Sequence, residues 1–415
     1  MLDIEVFEGG FKETEVGPLP EEWEVVRLGE VFDVKQGKQL SSKESKEGKT
    51  LRPFLRTSNV LWNKIDISSI SYMPFSDEEF ETLKLRRGDI LVCEGGDVGR
   101  TSVWEGQLEE CAYQNHLHRL RPKENNIVNY FFSYWMEYAI CLRGLYVNSA
   151  NRTTIPNLSA QRLKSFLIPL PPLEEQKAIA GVLSTVQSAI EKTEKVINAL
   201  KNLKKSMMKH LFTYGPVAEE EAEKVELKET EIGLIPKHWE VVRVGEVIKY
   251  YTPSKKLKQS DYKAFGKFPV IDQGQKYIAG FYDDETMVFD KDLPVILFGD
   301  HTRIIKYVDF PFICGAEGLK IIVPKENFHR KYFYYALLNL NIPSRGYNRH
   351  FTILREKLIP LPPFEEQQKI AQILQSIDQR IEKEEKYKNA LQNLFKSLLH
   401  NLMTGKIRVR VKNHG

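Results

Sequence analysis

The sequence predicts an α+β fold in which two globular domains of mixed α/β character are separated by a pair of long helices. Three observations predict it. One unit of roughly 200 residues occurs twice along the chain, each copy ends in a long amphipathic stripe, and the middle of each copy carries short apolar runs beside an aromatic-rich helical segment.

The duplication is read from two matched blocks. "KETEVGPLPEEWEVVRLGEV", from Lys12, returns as "KETEIGLIPKHWEVVRVGEV", from Lys228, with Trp23 matching Trp239 and Arg27 matching Arg243. "IPLPPLEEQKAIAGVL", from Ile168, returns as "IPLPPFEEQQKIAQIL", from Ile359. Between the blocks the two copies share almost nothing, and the second insert is shorter by about 25 residues. Solenoid units are short and stack on one another, whereas a unit of this length supports its own domain. The constant parts therefore do one task twice, and the variable parts do two versions of another.

The constant parts end in helices. After Pro171 and Pro172, the residues Ile179, Val182, Val186, Ile190, Ile197, Leu200, Leu203, Met207 and Leu211 recur at three- and four-residue steps. The second copy carries Ile370, Ile373, Ile377, Ile381, Leu391, Leu394, Leu398 and Leu402 on the same stripe. Prolines ahead of the stripe and Glu174, Glu175, Glu365 and Glu366 in its first turn mark helix starts, because carboxylates oppose the positive end of the helix dipole. Gly215 and Gly405 mark the stops. Each helix spans about 38 residues, or about 57 Å. A stripe of that length calls for a helical partner, and the other copy supplies one; a long surface helix on each domain is the alternative. The residues leave the relative direction of the pair open.

Residues 214–226, "YGPVAEEEAEKVE", form an acidic connector. With 42% hydrophobic residues the chain builds sizeable cores, and no window approaches the roughly 18 apolar residues of a membrane helix, so a cytoplasmic protein is expected. Cys93, Cys111, Cys141 and Cys314 are scattered, with no CxxC pair or zinc spacing. The net charge of +4 is mild, so a polyanion must be bound by local placement, and residues 249–357 are the basic stretch.

In the variable parts, "GDILVCEGG" and "LPVILFGDHTR" read as strands, and "NYFFSYWMEYAI" and "RKYFYYALLNL" as helices. Polar, basic and glycine residues concentrate in "LRTSNVLWNK", "EGGDVGRTS", "NSANRTTIPNLS", "FGDHTR" and "RGYNRHF". Arg and Asn carry planar, paired groups that match base edges and phosphates. Turns in which Asn and Gly serve the backbone are the plainer explanation for any one of them.

Enzyme signatures fail. The proline pair resembles the catalytic motif of DNA amino-methyltransferases, but Leu170 and Leu361 stand where an Asn, Asp or Ser must accept the amino group. Glu175 and Lys177 suggest a nuclease E-x-K, yet the second copy reads Glu366, Gln367, Gln368. No H-E-x-x-H, Walker loop or G-x-S-x-G occurs.

Together the two matched blocks, "LRTSNV", "RRGDILVCEGGDVGRTSV", "FGDHTR" and the ending "NLMTGKIRV" closely resemble the specificity (S) subunits of type I restriction-modification systems, over essentially the whole chain. The resemblance implies two target recognition domains separated by an antiparallel two-helix coiled coil with pseudo-two-fold symmetry. Its expected segments are 1–172 and 227–363 for the recognition domains, 173–213 and 364–404 for the helices, 214–226 for the linker and 405–415 for a tail. It implies a non-catalytic subunit without a cofactor of its own. Each domain reads half of a split asymmetric site on double-stranded DNA, and the helices set the spacer. Methyltransferase (M) subunits dock on the helices, and restriction (R) subunits, translocases and nucleases, join them; no membrane is involved. The DNA-binding residues carried over are Arg56, Ser58, Asn59, Arg100, Asn151 and Arg152 in the first domain. In the second they are His301, Arg303, Asn348, Arg349 and His350. A helical scaffold and a stand-alone DNA-binding regulator are the rival readings.

Overall fold

A computed structural model of the chain describes residues 2–39, 48–146, 158–253, 255–344, 346 and 349–411. Two helices, Leu173–Tyr214 and Phe364–Met403, dominate it. The chain divides into two compact units inside both helices, not at their starts: Met1–Thr193 with Tyr387–Gly415 form the first, and Glu194–Lys386 the second. Each unit thus holds half of each helix.

Within the second unit the helices run antiparallel. Lys201 pairs with Glu385 at 2.8 Å and Lys204 with Asp378 at 2.6 Å, so numbers rise along one helix as they fall along the other. In the first unit, Gly405, past the end of the second helix, lies against Trp23, whose indole N–H donates to Glu175 at the start of the first helix. The stripe residues Ile179, Ile190, Leu211, Ile370 and Leu402 are buried as expected. Leu203 and Leu394 are not: each is 47% exposed, at matching places on the two helices.

The junctions at the helix starts are built alike in the two units. Gln176 is fully buried; its Oε1 accepts the Val128 N–H (2.8 Å), and its Nε2 donates to the carbonyls of Asn126 (3.0 Å) and Pro171 (2.8 Å). Gln367 does the same with the His329 N–H (2.8 Å) and the carbonyls of Asn327 (3.0 Å) and Pro362 (2.9 Å). One side chain therefore ties the helix start to the proline pair and to the loop ahead of the aromatic helix. That helix is Asn129–Glu137 in the first unit and Arg330–Leu338 in the second. Beside it, Trp23 donates its indole N–H to Glu175 (3.1 Å) and Trp239 to Glu366 (2.9 Å). The strands Glu24–Arg27 and Leu167–Leu170 pair, as do Glu240–Arg243 and Leu358–Leu361, so the two constant blocks of each copy meet. Gly405 and Gly215 both have positive φ, and a Cβ at Gly405 would stand 2.3 Å from Pro20.

The variable parts share a strand order that their sequences do not show. In the first unit a four-stranded antiparallel sheet runs Thr101–Val103, Ile90–Cys93, Leu117–Pro122, Phe32–Gln36. In the second it runs Ile305–Val308, Val295–Gly299, Leu319–Pro324, Ile248–Tyr251. Ile90–Cys93 and Val295–Gly299 are buried throughout, which is why they read as unbroken apolar runs. A smaller sheet in each unit contains a parallel pair, Thr50–Leu55 with Ala112–Tyr113 and Phe268–Ile271 with Phe312–Cys314.

The expected tail is a strand instead. Ile407–Val411 pairs antiparallel with Leu2–Val6, and Arg408 reaches inward to form a bidentate ion pair with Glu175 and a 2.5 Å contact with Glu22. The acidic linker includes a 3-10 helix, Glu219–Lys224. No helix among the described residues is long and apolar enough to cross a membrane.

Gln176→Ala or Gln367→Ala strands one backbone N–H and two carbonyls beneath a helix start. Each change should cost about 2 to 4 kcal/mol, read as a lowered urea midpoint with little change in slope.

Candidate nucleic-acid interface

The strand order brings the polar loops together at one edge of each unit. In the first, the strand Thr50–Leu55 runs into a 3-10 turn, Thr57–Asn59, and the strand Ile90–Cys93 into the glycine loop 94–100. Gly96 and Gly99 have positive φ, which lets this loop fold back. The Arg100 guanidinium donates to the Thr57 carbonyl (3.0 Å) and lies 3.4 Å from Asp97, stitching the two loops. Gln36 donates to both Glu94 (2.9 Å) and the Asn115 carbonyl (2.9 Å), and the Glu94 N–H donates to the His116 carbonyl (2.9 Å). Below them His118 is fully buried, its Nε2 2.7 Å from the Leu158 carbonyl. Burial pushes its pKa down, so it serves as a neutral Nε2–H donor.

The second unit repeats the arrangement with other residues. Gln273 accepts the His301 N–H (3.2 Å), donates to the Glu317 carbonyl (2.8 Å), and receives the Thr302 hydroxyl at its own carbonyl (2.7 Å). Asp300 takes the place of Glu94: its N–H donates to Gly318 (2.7 Å), and its carboxylate caps the helix Phe351–Glu356 through the N–H groups of His350 (2.9 Å) and Phe351 (2.8 Å).

The residues named from sequence separate into three groups. Ser58, Arg303 and Arg349 are exposed, and Arg56, Arg100 and His301 are half-buried at the loop edge. Arg303 sits at a positive φ of 64° with its guanidinium on the Ile342 carbonyl (2.9 Å). Asn59 and His350 are buried and bonded inward. The Asn59 amide is consumed by the Arg56 N–H (2.8 Å) and the carbonyls of Asp66 (2.8 Å) and Ser69 (2.9 Å), and the His350 ring lies 3.0 Å from the Asp300 carbonyl. These two shape the loops. Asn151, Arg152 and Asn348 lie outside the described residues.

Sequence reasoning missed Gln36, Asn115 and His116 in the first cluster, and Gln273, Gln275 and Lys276 in the second. Their signal is positional: 114–116 follow the strand Ala112–Tyr113, and 272–276 follow Phe268–Ile271, the counterpart of Thr50–Leu55. Beside the exposed carboxylates of Asp97 and Glu317, these edges carry amides, guanidiniums, a lysine and two histidines, groups suited to base edges and phosphates. Among the described residues no cluster of His, Cys, Asp and Glu could hold a metal. Burial pushes the Cys93 thiol, beneath the first cluster, up to about 11, far from a nucleophile's range.

Two divergent domains of one strand order, joined by duplicated helices and presenting polar loops, define a bipartite recognition protein. The family profile for the type I restriction modification DNA specificity domain matches residues 20–202 and 236–393. A Methanocaldococcus jannaschii chain designated as the MjaX specificity subunit of a type I restriction enzyme is 32% identical, covering 97% of this chain and 98% of that one. The type I restriction enzyme MjaVIII specificity subunit of the same organism is 30% identical, covering 98% of each. The crystal structure of a type I restriction-modification S subunit from M. genitalium aligns with a TM-score of 0.62 at 20% identity, over 92% of this chain and 96% of that one, a likeness of fold. The chain belongs to the type I restriction-modification specificity subunit family.

One half-buried acid, Glu137, supports the first recognition loop. Asn63, held at a positive φ of 52°, donates to Glu137 (2.6 Å) and accepts the Ser133 hydroxyl (2.5 Å). Burial raises the Glu137 pKa from 4.5 to about 7. The fold therefore favours the protonated acid, and this group's contribution to stability falls as pH climbs from its unfolded value through about 7. Glu137→Gln keeps an acceptor for Asn63 and removes the ionisation. Between about pH 5 and about pH 8 the variant should gain on the order of 3 kcal/mol relative to the parent, measured by urea unfolding at each pH.

Proposed function

We propose that this chain is the non-catalytic DNA-reading subunit of a cytoplasmic type I restriction-modification complex, each unit reading one half of a split asymmetric site on double-stranded DNA. The observation that carries the reading is the repeated loop cluster: one strand order, two different sets of exposed polar residues, hence two different half-sites. Arg56, Ser58, Arg100 and His116 present the first surface, and Gln275, Lys276, His301, Arg303 and Arg349 the second. Asn59, His350, Glu94 and Asp300 hold the loops in place.

The long helices offer a place for partners. Val196 and Leu203 are exposed seven residues apart, and Tyr387 and Leu394 repeat the spacing, with Leu200 and Leu391 half-buried between them. Positions i, i+4 and i+7 share one helix face, so each unit shows an apolar strip suited to a helix of a partner. Two copies of one methyltransferase subunit, which carries the methyl donor and the chemistry, dock there; ATP-dependent restriction subunits complete the complex. A helical scaffold would capture proteins without DNA dependence, and a lone regulator would need no methyltransferase.

Mapping methylated adenines in the source genome tests the reading: a two-part motif should vanish when this chain is deleted, and its persistence would overturn it. Arg100→Ala should weaken binding of that site by about 10- to 100-fold in the methyltransferase complex and leave the other half-motif intact. Leu203→Glu with Leu394→Glu should abolish co-purification of the methyltransferase while leaving the melting temperature within a few degrees, as expected for surface changes.

A further inference from the structure

We propose that the first unit holds a binding site for a small apolar carboxylate, in a cavity between its N-terminal constant segment, its aromatic helix and the last turn of the second long helix. The cavity measures about 240 Å³ and is walled by Phe11, Val16, Leu19, Trp135, Tyr138 and Met403. A dry cavity of about 150 Å³ already holds benzene, so a ring or short chain fits with room for a headgroup. Arg143, His400 and Lys406 also line it, and no acidic residue does. Arg143 and Lys406 are exposed at the rim, and both bear on His400, whose pKa is lowered first by burial and then by these two cations. Two cations and an imidazole thus converge on one mouth without a counter-charge among the lining residues. A guanidinium with an ammonium beside it fits a carboxylate, whose apolar body the aromatic walls accept.

The corresponding place in the second unit has diverged, so the site is not a by-product of the duplicated joint. There Ile232 and Ile235 occupy the positions of Val16 and Leu19, while Ala336 and Asn339 replace Trp135 and Tyr138. The lining gains Glu231 and Glu356, with Lys357 as its cation. Aromatic walls and a cationic mouth occur together at this joint in the first unit and not in the second.

Titration calorimetry of the full chain with octanoate and with octanol tests the assignment. Octanoate should bind at one site per chain, at least tenfold tighter than octanol. The double variant Arg143→Gln, Lys406→Gln changes exposed side chains only, and should weaken octanoate at least tenfold while leaving octanol binding and the melting temperature unchanged. Absence of saturable octanoate binding, equal affinity for octanol, or octanoate binding undiminished in the double variant would each overturn the proposal.

Discussion

A buried glutamine at the start of each long helix is the constraint on which the rest depends. A helix N-terminus leaves backbone donors unpaired, and a proline pair supplies carbonyls but no donors of its own. Gln176 and Gln367 bring two donors and an acceptor on one amide into that crowded place, bonding the proline carbonyl behind them and the loop above them. The neighbouring Glu175 and Glu366 bind indoles from the other constant block. A few side chains thereby fix the angle at which a recognition domain meets its helix, and they do so twice with the same residue types.

Because the joint is satisfied by residues inside the constant blocks, the middles are free to change, subject to strand order. The two units differ where the joint allows it. Tyr134 packs its ring edge-on against Phe395, whereas the matching Tyr335 bonds Asp378 (2.8 Å), which also pairs with Lys204. One contact is apolar and the other charge-assisted, yet both hold the aromatic helix to the long ones. The same tolerance produced Glu94 and Asp300, acids at one topological place that reach different partners.

Most of the architecture was legible in the sequence, because it rests on repetition and periodicity, which are local properties. The duplicated blocks, both long helices, the central strands and the aromatic helices were read from residues alone. What escaped depends on neighbours far along the chain. Gln176 in a first helical turn looks solvated until residues 126–128 close over it. Asn59 and His350 carry the chemistry of DNA readers, but their own loops consume it. Gln273 and His116 became candidates only when strand order placed them beside loops already suspected. Leu203 and Leu394 fit the periodic stripe and face outward, since a heptad pattern marks a face without saying what covers it.

The pairing of Leu2–Val6 with Ile407–Val411 bears on how the chain is made. Glu22 and its partner Arg408 are 386 positions apart, so the first unit cannot close until residue 408 has emerged. The second unit is continuous, from Glu194 to Lys386, and has everything it needs sooner. Synthesis thus imposes an order: the second unit matures first, while the strand Leu2–Val6 waits with an unpaired edge. Such an edge invites wrong partners, and the exposed Glu5 is the kind of charge that discourages them.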